Sequence, residues 1–344
     1  MRINNRSIGP TYPVYIVAEM SANHNQNFDQ AVATIKAAKR AGADAIKLQT
    51  YTPDTMTLDC DNKYFRIKGT IWEGQTLYDL YKQAYTPWEW QPKLKKFAEE
   101  IKLDFFSTPF DETAVDFLEE MQVPAYKIAS FESVDLPLIR KVAKTHKPII
   151  LSTGMASLAE IDEAVQTIKE AGGTELILLK CTSAYPAPPG KMNLRTIPHL
   201  SNAFGVPTGL SDHSMSLAVP VAAVTLGACV IEKHFTLSRK NPSLDSSFSL
   251  EPEEFREMVD AVRTTEKAIG QVFYGLSKPE KESRIFRRSL FAAENIKTGE
   301  EITLNNIRSI RPGHGLHTRY LNKIIGRRAK KDIQQGTPIS WDLI

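Results

Sequence analysis

Thr208-Gly209-Leu210-Ser211-Asp212-His213, a helical pattern over residues 217–226, and Val230-Ile231-Glu232-Lys233-His234-Phe235 together decide the fold of this chain. Strand, helix and strand in that order make a parallel βαβ unit. Both strands are short apolar runs ending in a histidine, where a buried strand empties into a loop. As neighbours their axes lie ~4.8 Å apart, so both imidazoles can reach one divalent ion. Either histidine alone reads more simply as a strand-end residue without a ligand.

The same rhythm extends outward. β-rich runs fall at residues 14–21, 45–50, 105–108, 125–130, 148–153 and 176–181, with amphipathic segments at 28–41, 92–101, 113–121, 136–145, 158–171 and 251–270. Eight strands alternating with helices predict an α/β fold, a closed (β/α)8 TIM barrel over residues 1–270. Gly42 and Gly172-Gly173 read as helix stops. A polar linker at 271–286 leads to a small β domain at 287–344, which carries an internal echo. There Asn295-Ile296, Gly299, Ile302-Thr303 and Ile307 recur at the same offsets as Asp332-Ile333, Gly336, Ile339-Ser340 and Ile344. Two connections break the rhythm: an aromatic-rich insertion at 51–90, too long for a plain loop, and a polar one at 237–250 that carries Asp245.

Composition narrows the class. Of 344 residues, 42% are hydrophobic and 24% charged, with a formal charge of +3. That is ordinary globular composition, with no nucleic-acid footprint; the short run Arg327-Arg328-Ala329-Lys330-Lys331 reads as a solvated face. There is neither a signal-peptide pattern nor a membrane-spanning run. Three cysteines, Cys60, Cys181 and Cys229, make no paired framework, so a reducing cytoplasm is expected.

A parallel barrel places its site at the C-terminal ends of its strands. Those ends carry Glu19, Lys47 with Gln49, Thr108, Lys127 with Ser130, Ser152, then Ser183 and Tyr185, then Ser211 with His213, and finally His234. Hydroxyls there are expected of any barrel. Lysines inside apolar strands are not, because an unpaired buried charge is expensive. Glu19 could pair with one of them structurally. Two lysines with several hydroxyls better suit a phosphate or carboxylate ligand. Beside them, His213 and His234 suit a divalent ion that polarises a carbonyl. A Schiff base at Lys127 is the alternative chemistry, and a binding protein with an inert barrel is the alternative class.

Ala18-Glu19-Met20-Ser21-Ala22-Asn23-His24-Asn25, Ala45-Ile46-Lys47-Leu48-Gln49-Thr50, Ser107-Thr108-Pro109-Phe110, Tyr126-Lys127-Ile128-Ala129-Ser130, Leu151-Ser152-Thr153-Gly154-Met155, Gly209–His213 and Glu232-Lys233-His234-Phe235-Thr236 resemble the sialic acid synthase family. Arg311-Pro312-Gly313 resembles its antifreeze-like (SAF) domain. The resemblance implies condensation of phosphoenolpyruvate with an N-acylated hexose and release of phosphate. It implies a divalent metal, manganese first and magnesium or cobalt as substitutes. Lys47, Lys127, Ser130, Ser152, Ser183 and Ser211 would hold phosphoenolpyruvate, with His213 and His234 on the metal. Glu19 would sit at the reacting centre and Asp245 on the sugar. Arg311 would reach a partner's barrel in a domain-swapped homodimer. Residues 51–56 and 69–78 look most like the branch acting on 2,4-diacetamido-2,4,6-trideoxy-L-altrose, with N-acetylneuraminate- and legionaminate-forming branches as alternatives. The aromatics Trp72, Tyr78, Tyr81 and Trp88 would cover the methyl groups of such a sugar.

Overall fold

The β-branched and apolar runs form eight parallel strands. They are β1 (Tyr15–Glu19), β2 (Ala45–Thr50), β3 (Asp104–Pro109), β4 (Tyr126–Ile128), β5 (Ile149–Ser152), β6 (Leu176–Cys181), β7 (Thr208–Asp212) and β8 (Val230–His234). Each pairs with the next, and β8 pairs with β1, so the sheet closes into a barrel. The closing register sets Val230 against Tyr15 and His234 against Glu19. The computed structural model describes residues 1–344 in two units, Met1–Gly270 and Gln271–Ile344.

Eight helices flank the strands: α1 (Phe28–Arg40), α2 (Gln91–Glu100), α3 (Glu112–Glu120), α4 (Leu136–Ala143), α5 (Leu158–Glu170), α6 (Thr196–Phe204), α7 (Ala218–Thr225) and α8 (Pro252–Ile269). Their starts are chemically marked. Asn27 and Asp111 accept backbone N–H groups of α1 and α3, and Ser157 with Glu160 forms a reciprocal capping box on α5. The sequence reading missed α6. Its nine residues include Pro198 in the first turn, where proline is tolerated but hides the helical pattern, and no side chain caps its start.

Alternation along the strands divides the apolar residues into two layers. Ile16, Ala18, Ile46, Leu48, Ile128, Leu151 and Leu178 pack outward with the helices. Tyr15, Val17, Ala45, Phe106, Ile150, Ile177 and Leu179 fill the barrel interior. The interior also takes Ile3 and Ile8 from an N-terminal hairpin, Arg2–Ile3 with Arg6–Ser7, which the sequence reading did not include. Those two side chains join the interior layer formed by the early residues of the strands. The opposite, C-terminal end of the barrel is the end where polar side chains collect.

In the second unit, Ser289–Ala292 and Ile307–Ile310 form an antiparallel pair. The internal echo is a real pairing: Ile296 and Ile333, at equal offsets in the two repeats, exchange both backbone hydrogen bonds at 2.8 Å. Gly299 and Gly336 both adopt φ +82°, a conformation that makes glycine the fitting residue at that point of each repeat. The repeated isoleucines Ile296, Ile302, Ile307, Ile333, Ile339 and Ile344 are the core of this unit. No helix of the chain is long and apolar enough to cross a membrane.

Gly209 on β7 sits in close packing with β6 and β8. A Cβ there would meet the carbonyl oxygen of Val230 and stand 2.7 Å from Leu179 Cδ2. Gly209→Ala should therefore cost about 1–3 kcal/mol by overpacking, lowering the thermal midpoint by several degrees in circular dichroism. An unchanged midpoint would show that the β7–β8 spacing opens freely.

Candidate active site

Period-two alternation places Glu19 on β1, Lys47 and Gln49 on β2, Lys127 on β4 and Glu232 with His234 on β8 on the inner face. Lys47 and Lys127 are only 4% and 1% exposed. Neither is left alone. Lys47 Nζ pairs with Glu19 Oε2, donates to Thr108 Oγ1 at 3.2 Å and lies 3.9 Å from Glu232. Lys127 Nζ donates to Ser152 Oγ at 2.6 Å and to the Ile128 carbonyl at 2.9 Å, with Glu232 at 4.0 Å. Glu232 thus lies between two ammonium groups, and it also accepts from Ser211 Oγ at 3.0 Å. Sequence reading named Glu19 as the possible counter-ion and did not single out Glu232. The signal was available, because Glu232 stands two residues before His234 and so shares its face.

The charges respond to this crowding. Burial works to raise Glu232, but Lys127 and Lys47 outweigh it and hold the carboxyl below its ordinary value. Burial raises Glu19, against Lys47, with Glu232 adding to the rise. Burial pushes the Lys127 ammonium down despite Glu232. Gln49 donates to Glu19 at 3.3 Å and to Ser21 Oγ at 2.9 Å, fixing the rim above the lysines.

Around Lys127 the hydroxyls form a small cradle. The Gly154 N–H donates to Ser130 Oγ at 3.1 Å. A Cβ on Gly154 would stand 2.6 Å from Ser130 Oγ and would also run into Ser183 Oγ. Glycine is needed here to keep that space open. Sequence reading quoted Gly154 without giving it a role.

His213 and His234 face one another with ring centroids 5.3 Å apart. His213 Nδ1 lies 3.1 Å from the Thr182 carbonyl. As the donor in that contact, Nδ1 carries a proton; burial works to lower the ring, but Cys181, the Thr182 carbonyl and Glu232 outweigh it and raise it above its ordinary value. His234 Nδ1 is buried and has no hydrogen-bond partner, and burial, with His213 adding to it, holds the ring neutral. Cys181 Sγ lies 3.9 Å from His213 Nδ1. Burial tends to raise this thiol, but His213 and the neighbouring hydroxyl and ammonium bring it down to about 7. Beyond Glu19 Oε2, whose partner is the Lys47 ammonium, three buried side-chain polar atoms lack a hydrogen-bond partner: Glu132 Oε2, Glu232 Oε2 and His234 Nδ1. Glu232 and His234 belong to the charge cluster and the histidine pair, and Glu132 lines the chamber above them. Buried groups of this kind are normally satisfied, so their gathering marks a place built for something other than the protein itself.

Above the lysines lies a chamber of about 430 Å³. Gln49, Ser21, Glu132, Tyr185, His234 and Asp245 give its polar points, while Tyr51, Ile67, Trp72, Leu80, Tyr81, Phe110 and Phe248 give apolar walls. Asp245 is buried, which raises its carboxyl, with the Ser21 hydroxyl and Ala22 N–H opposing the rise. Tyr185 leans on His213 at 4.4 Å and on Phe248 at 5.0 Å. The insertion at 51–90 is folded, with helices Pro53–Met56 and Leu77–Ala84. It brings only two of the four expected aromatics to the chamber. Trp72 is tied by its Nε1 to the Leu244 carbonyl at 3.2 Å and joins Tyr81 in the lining. Trp88 instead stacks on Phe117 at 4.6 Å, and Tyr78 turns to Asp54 at 3.2 Å. Both follow packing on the rim rather than the cavity. Asn23 and His24 are also structural: Asn23 bonds Phe235 and Ser249 at 2.9 Å, and His24 bonds Thr86 at 3.1 Å. Arg311 lies in the second unit, exposed, just after Ile307–Ile310.

A closed barrel with buried lysines beneath two facing histidines and an aromatic chamber is the architecture of an enzyme with its site at the C-terminal mouth of the strands. The chain belongs to the NeuB family, whose model matches residues 34–274, and a SAF domain matches residues 287–344. It is 47% identical over 323 residues to the pseudaminic acid synthase of Campylobacter jejuni subsp. jejuni serotype O:23/36, covering 94% of each chain. It is 44% identical to the pseudaminic acid synthase of Helicobacter pylori, covering 96% of this chain and 97% of that one. Among solved structures it resembles the spore coat polysaccharide biosynthesis protein SpsE of Bacillus subtilis, with TM-score 0.68 and 37% identity over 100% of this chain and 98% of that chain.

Glu132 offers a pH test. It lies on the turn after β4, and burial raises its carboxyl to about 7 from an ordinary 4.5. The unfolded chain gives up this proton near the ordinary value while the native chain holds it to about 7. Native stability from this group is therefore unaffected below about 4.5, falls as pH rises to about 7, and stays reduced above that, by roughly 3 kcal/mol at most. Glu132→Gln should match the parent in urea unfolding near pH 4 and exceed it near pH 8.

Proposed function

We propose that the chain is a pseudaminic acid synthase, which condenses phosphoenolpyruvate with 2,4-diacetamido-2,4,6-trideoxy-L-altrose and water to give pseudaminic acid and phosphate. The observation that carries this reading is the layering of the mouth: paired lysines and hydroxyls below, the histidine pair at mid-height, and an apolar chamber above. A trianionic substrate fits the lower layer, where Lys47, Lys127, Ser130, Ser152, Ser183 and Ser211 converge and Thr108 supports Lys47. Its charge would take over the lysines now balanced by Glu19 and Glu232. A sugar with one deoxy carbon and two acetamido groups has more methyl surface than a plain hexose, and the walls of Trp72, Tyr81, Phe110 and Phe248 suit it. Asp245, Tyr185 and Gln49 would bond its hydroxyl and amide groups.

His213 and His234 would hold a divalent cation, Mn²⁺ first, with Mg²⁺ or Co²⁺ able to substitute. The neutral His234 with its unpartnered nitrogen, and His213 with its Nδ1 anchored on Thr182, fit that role. When bound, such an ion supplies Lewis-acid polarisation of the sugar aldehyde. The rest falls to the chain's own groups. The lysines orient phosphoenolpyruvate so that its methylene carbon forms the new C–C bond to the aldehyde carbon. Water then adds at the former enol carbon, and the C–O bond to phosphate breaks. Glu19 is buried within reach of Lys47 and Gln49 and its carboxyl is raised, which suits a group that orients this water or passes a proton to the new alkoxide. A homodimer in which Arg311 of one chain enters the other's barrel belongs to the same reading. Its support is the exposure of Arg311 and of Val272, Phe273 and Phe286 in residues 271–286.

The test is phosphate release from phosphoenolpyruvate with Mn²⁺ and each of three sugars: the altrose derivative, its legionaminic-type counterpart and N-acetylmannosamine. Release should require both sugar and metal and be fastest with the first. Preference for either of the others would overturn the sugar assignment, and trapping of substrate on Lys127 by borohydride with chelator-resistant activity would overturn the chemistry. Two variants sharpen it. His234→Ala should lower kcat/KM by roughly three orders of magnitude, as expected when several kcal/mol of Lewis-acid stabilisation are lost. Trp72→Ala should raise KM for the sugar about tenfold or more while leaving KM for phosphoenolpyruvate near the parent value, in steady-state phosphate assays.

A further inference from the structure

The two facing histidines are each flanked by one half of a fully buried ion pair. Asp212 precedes His213 and Lys233 precedes His234; both charged side chains have zero exposure and meet at 2.6 Å. By strand alternation Ser211 and His213 point inward with Glu232 and His234, whereas Asp212 and Lys233 point outward into the layer under the helices. The pair is therefore behind the wall that carries the site, out of reach of any substrate. It sits in register, since Lys233 and Asp212 are direct partners across β7 and β8.

More than a single contact is formed. Asp212 Oδ1 accepts the Ser214 N–H at 2.8 Å, Oδ2 accepts from Lys233 Nζ, and Lys233 Nζ also donates to the Ser214 carbonyl. These bonds close a ring around the turn 212–214, with His213 at its centre. One end of the ring is the residue before His213 and the other is the residue after it. The ring is anchored on the residue adjacent to His234. A strand end without such a tie frays and rotates; this one is clamped to its neighbour through the two bonds from Lys233 and closed on itself by a third. A neutral pair would fill the space at far less desolvation cost, so the charges call for a reason beyond filling.

We propose that Asp212 and Lys233 are positioning residues for the cation site, setting the relative height and angle of the His213 and His234 rings. This rests on the reading of those histidines as metal ligands. The pair touches neither substrate nor metal; it acts through the turn that carries His213 and through the strand residue next to His234.

The measurement is Mn²⁺ affinity of the substrate-free protein, read by electron paramagnetic resonance of the unbound ion, alongside thermal unfolding of the metal-free chain. Three variants are compared with the parent. Removing one charge alone would leave the other buried and unpaired, so the neutral double variant Asp212→Asn with Lys233→Met is used. Asp212→Glu keeps the charge pair but lengthens the tie by one methylene. His234→Ala marks the site. The double variant should fold and bind Mn²⁺ at least tenfold more weakly, and Asp212→Glu should lose several-fold affinity with an unfolding midpoint near that of the parent. Parent-like affinity in the double variant would overturn the proposal; if that variant does not fold, Asp212→Glu decides by the same criterion. If the parent shows no Mn²⁺ binding that His234→Ala abolishes, the metal reading itself fails and the proposal with it. Parent binding that both charge variants retain would reject the positioning role alone.

Discussion

Glu232 between Lys47 and Lys127, with Glu19 on the far side of Lys47, is the interaction on which the rest of the structure depends. Four ionisable side chains are held almost entirely out of water on the inner wall of the barrel. Desolvation of each costs several kcal/mol, and only close mutual pairing makes the arrangement tolerable. That constraint dictates the neighbours: Thr108, Ser152, Ser211 and Gln49 are there to complete the hydrogen bonds that the charges need. On the proposed reading, an entering anion would compete with the glutamates for the same ammonium groups, and the resting protein would carry an internal stand-in for the charge of its substrate.

Most of the barrel could be read in the chain because its signals are local. Strand runs such as Leu176–Cys181 and capped helices such as Leu158–Glu170 depend on a few neighbouring residues. What was not legible depends on distant ones. The helix Thr196–Phe204 has no cap and a proline in its first turn, so it owes its existence to packing on the strands. The N-terminal hairpin carries no pattern of its own until the barrel interior is seen to take Ile3 and Ile8. The same division holds at the mouth. Lys47 and Lys127 stood out as charges inside apolar strands. Glu232 stood in an equally apolar strand, but its significance lay in the distance to lysines about 105 and 185 residues away, which only the closed sheet supplies. Trp72 and Trp88 are chemically alike in sequence; a carbonyl at Leu244 holds one at the chamber and Phe117 draws the other to the rim.

The two layers of the mouth separate two kinds of recognition. Below, on the proposed reading, charge and hydroxyl geometry would select an anion, and Gly154 leaves the Ser130 and Ser183 hydroxyls room that a Cβ would take. Above, the walls come largely from the insertion at 51–90 and from the connection after β8. These segments sit on the barrel rather than within it. Changes to the upper surface can alter which sugar fits without disturbing the charge balance below, because the two layers share few residues beyond Gln49, Tyr185 and His234.

The seam between β1 and β8 has a consequence for how the molecule comes into being. His234 lies opposite Glu19 across that seam, with 214 residues of chain between them. Contacts of such separation form late, because the entropy of closing so long a loop must be overcome before they contribute. During synthesis the first strand emerges long before its partner exists, and β2 to β7 can stack on one another in the meantime. Closing the sheet is what brings Glu232 on β8 to Lys47 on β2, whereas His234 already meets His213 once β8 has docked on β7. A nascent or partly opened chain therefore holds Lys47 with Glu19 alone, and the second counter-ion, Glu232, arrives only with the finished cylinder.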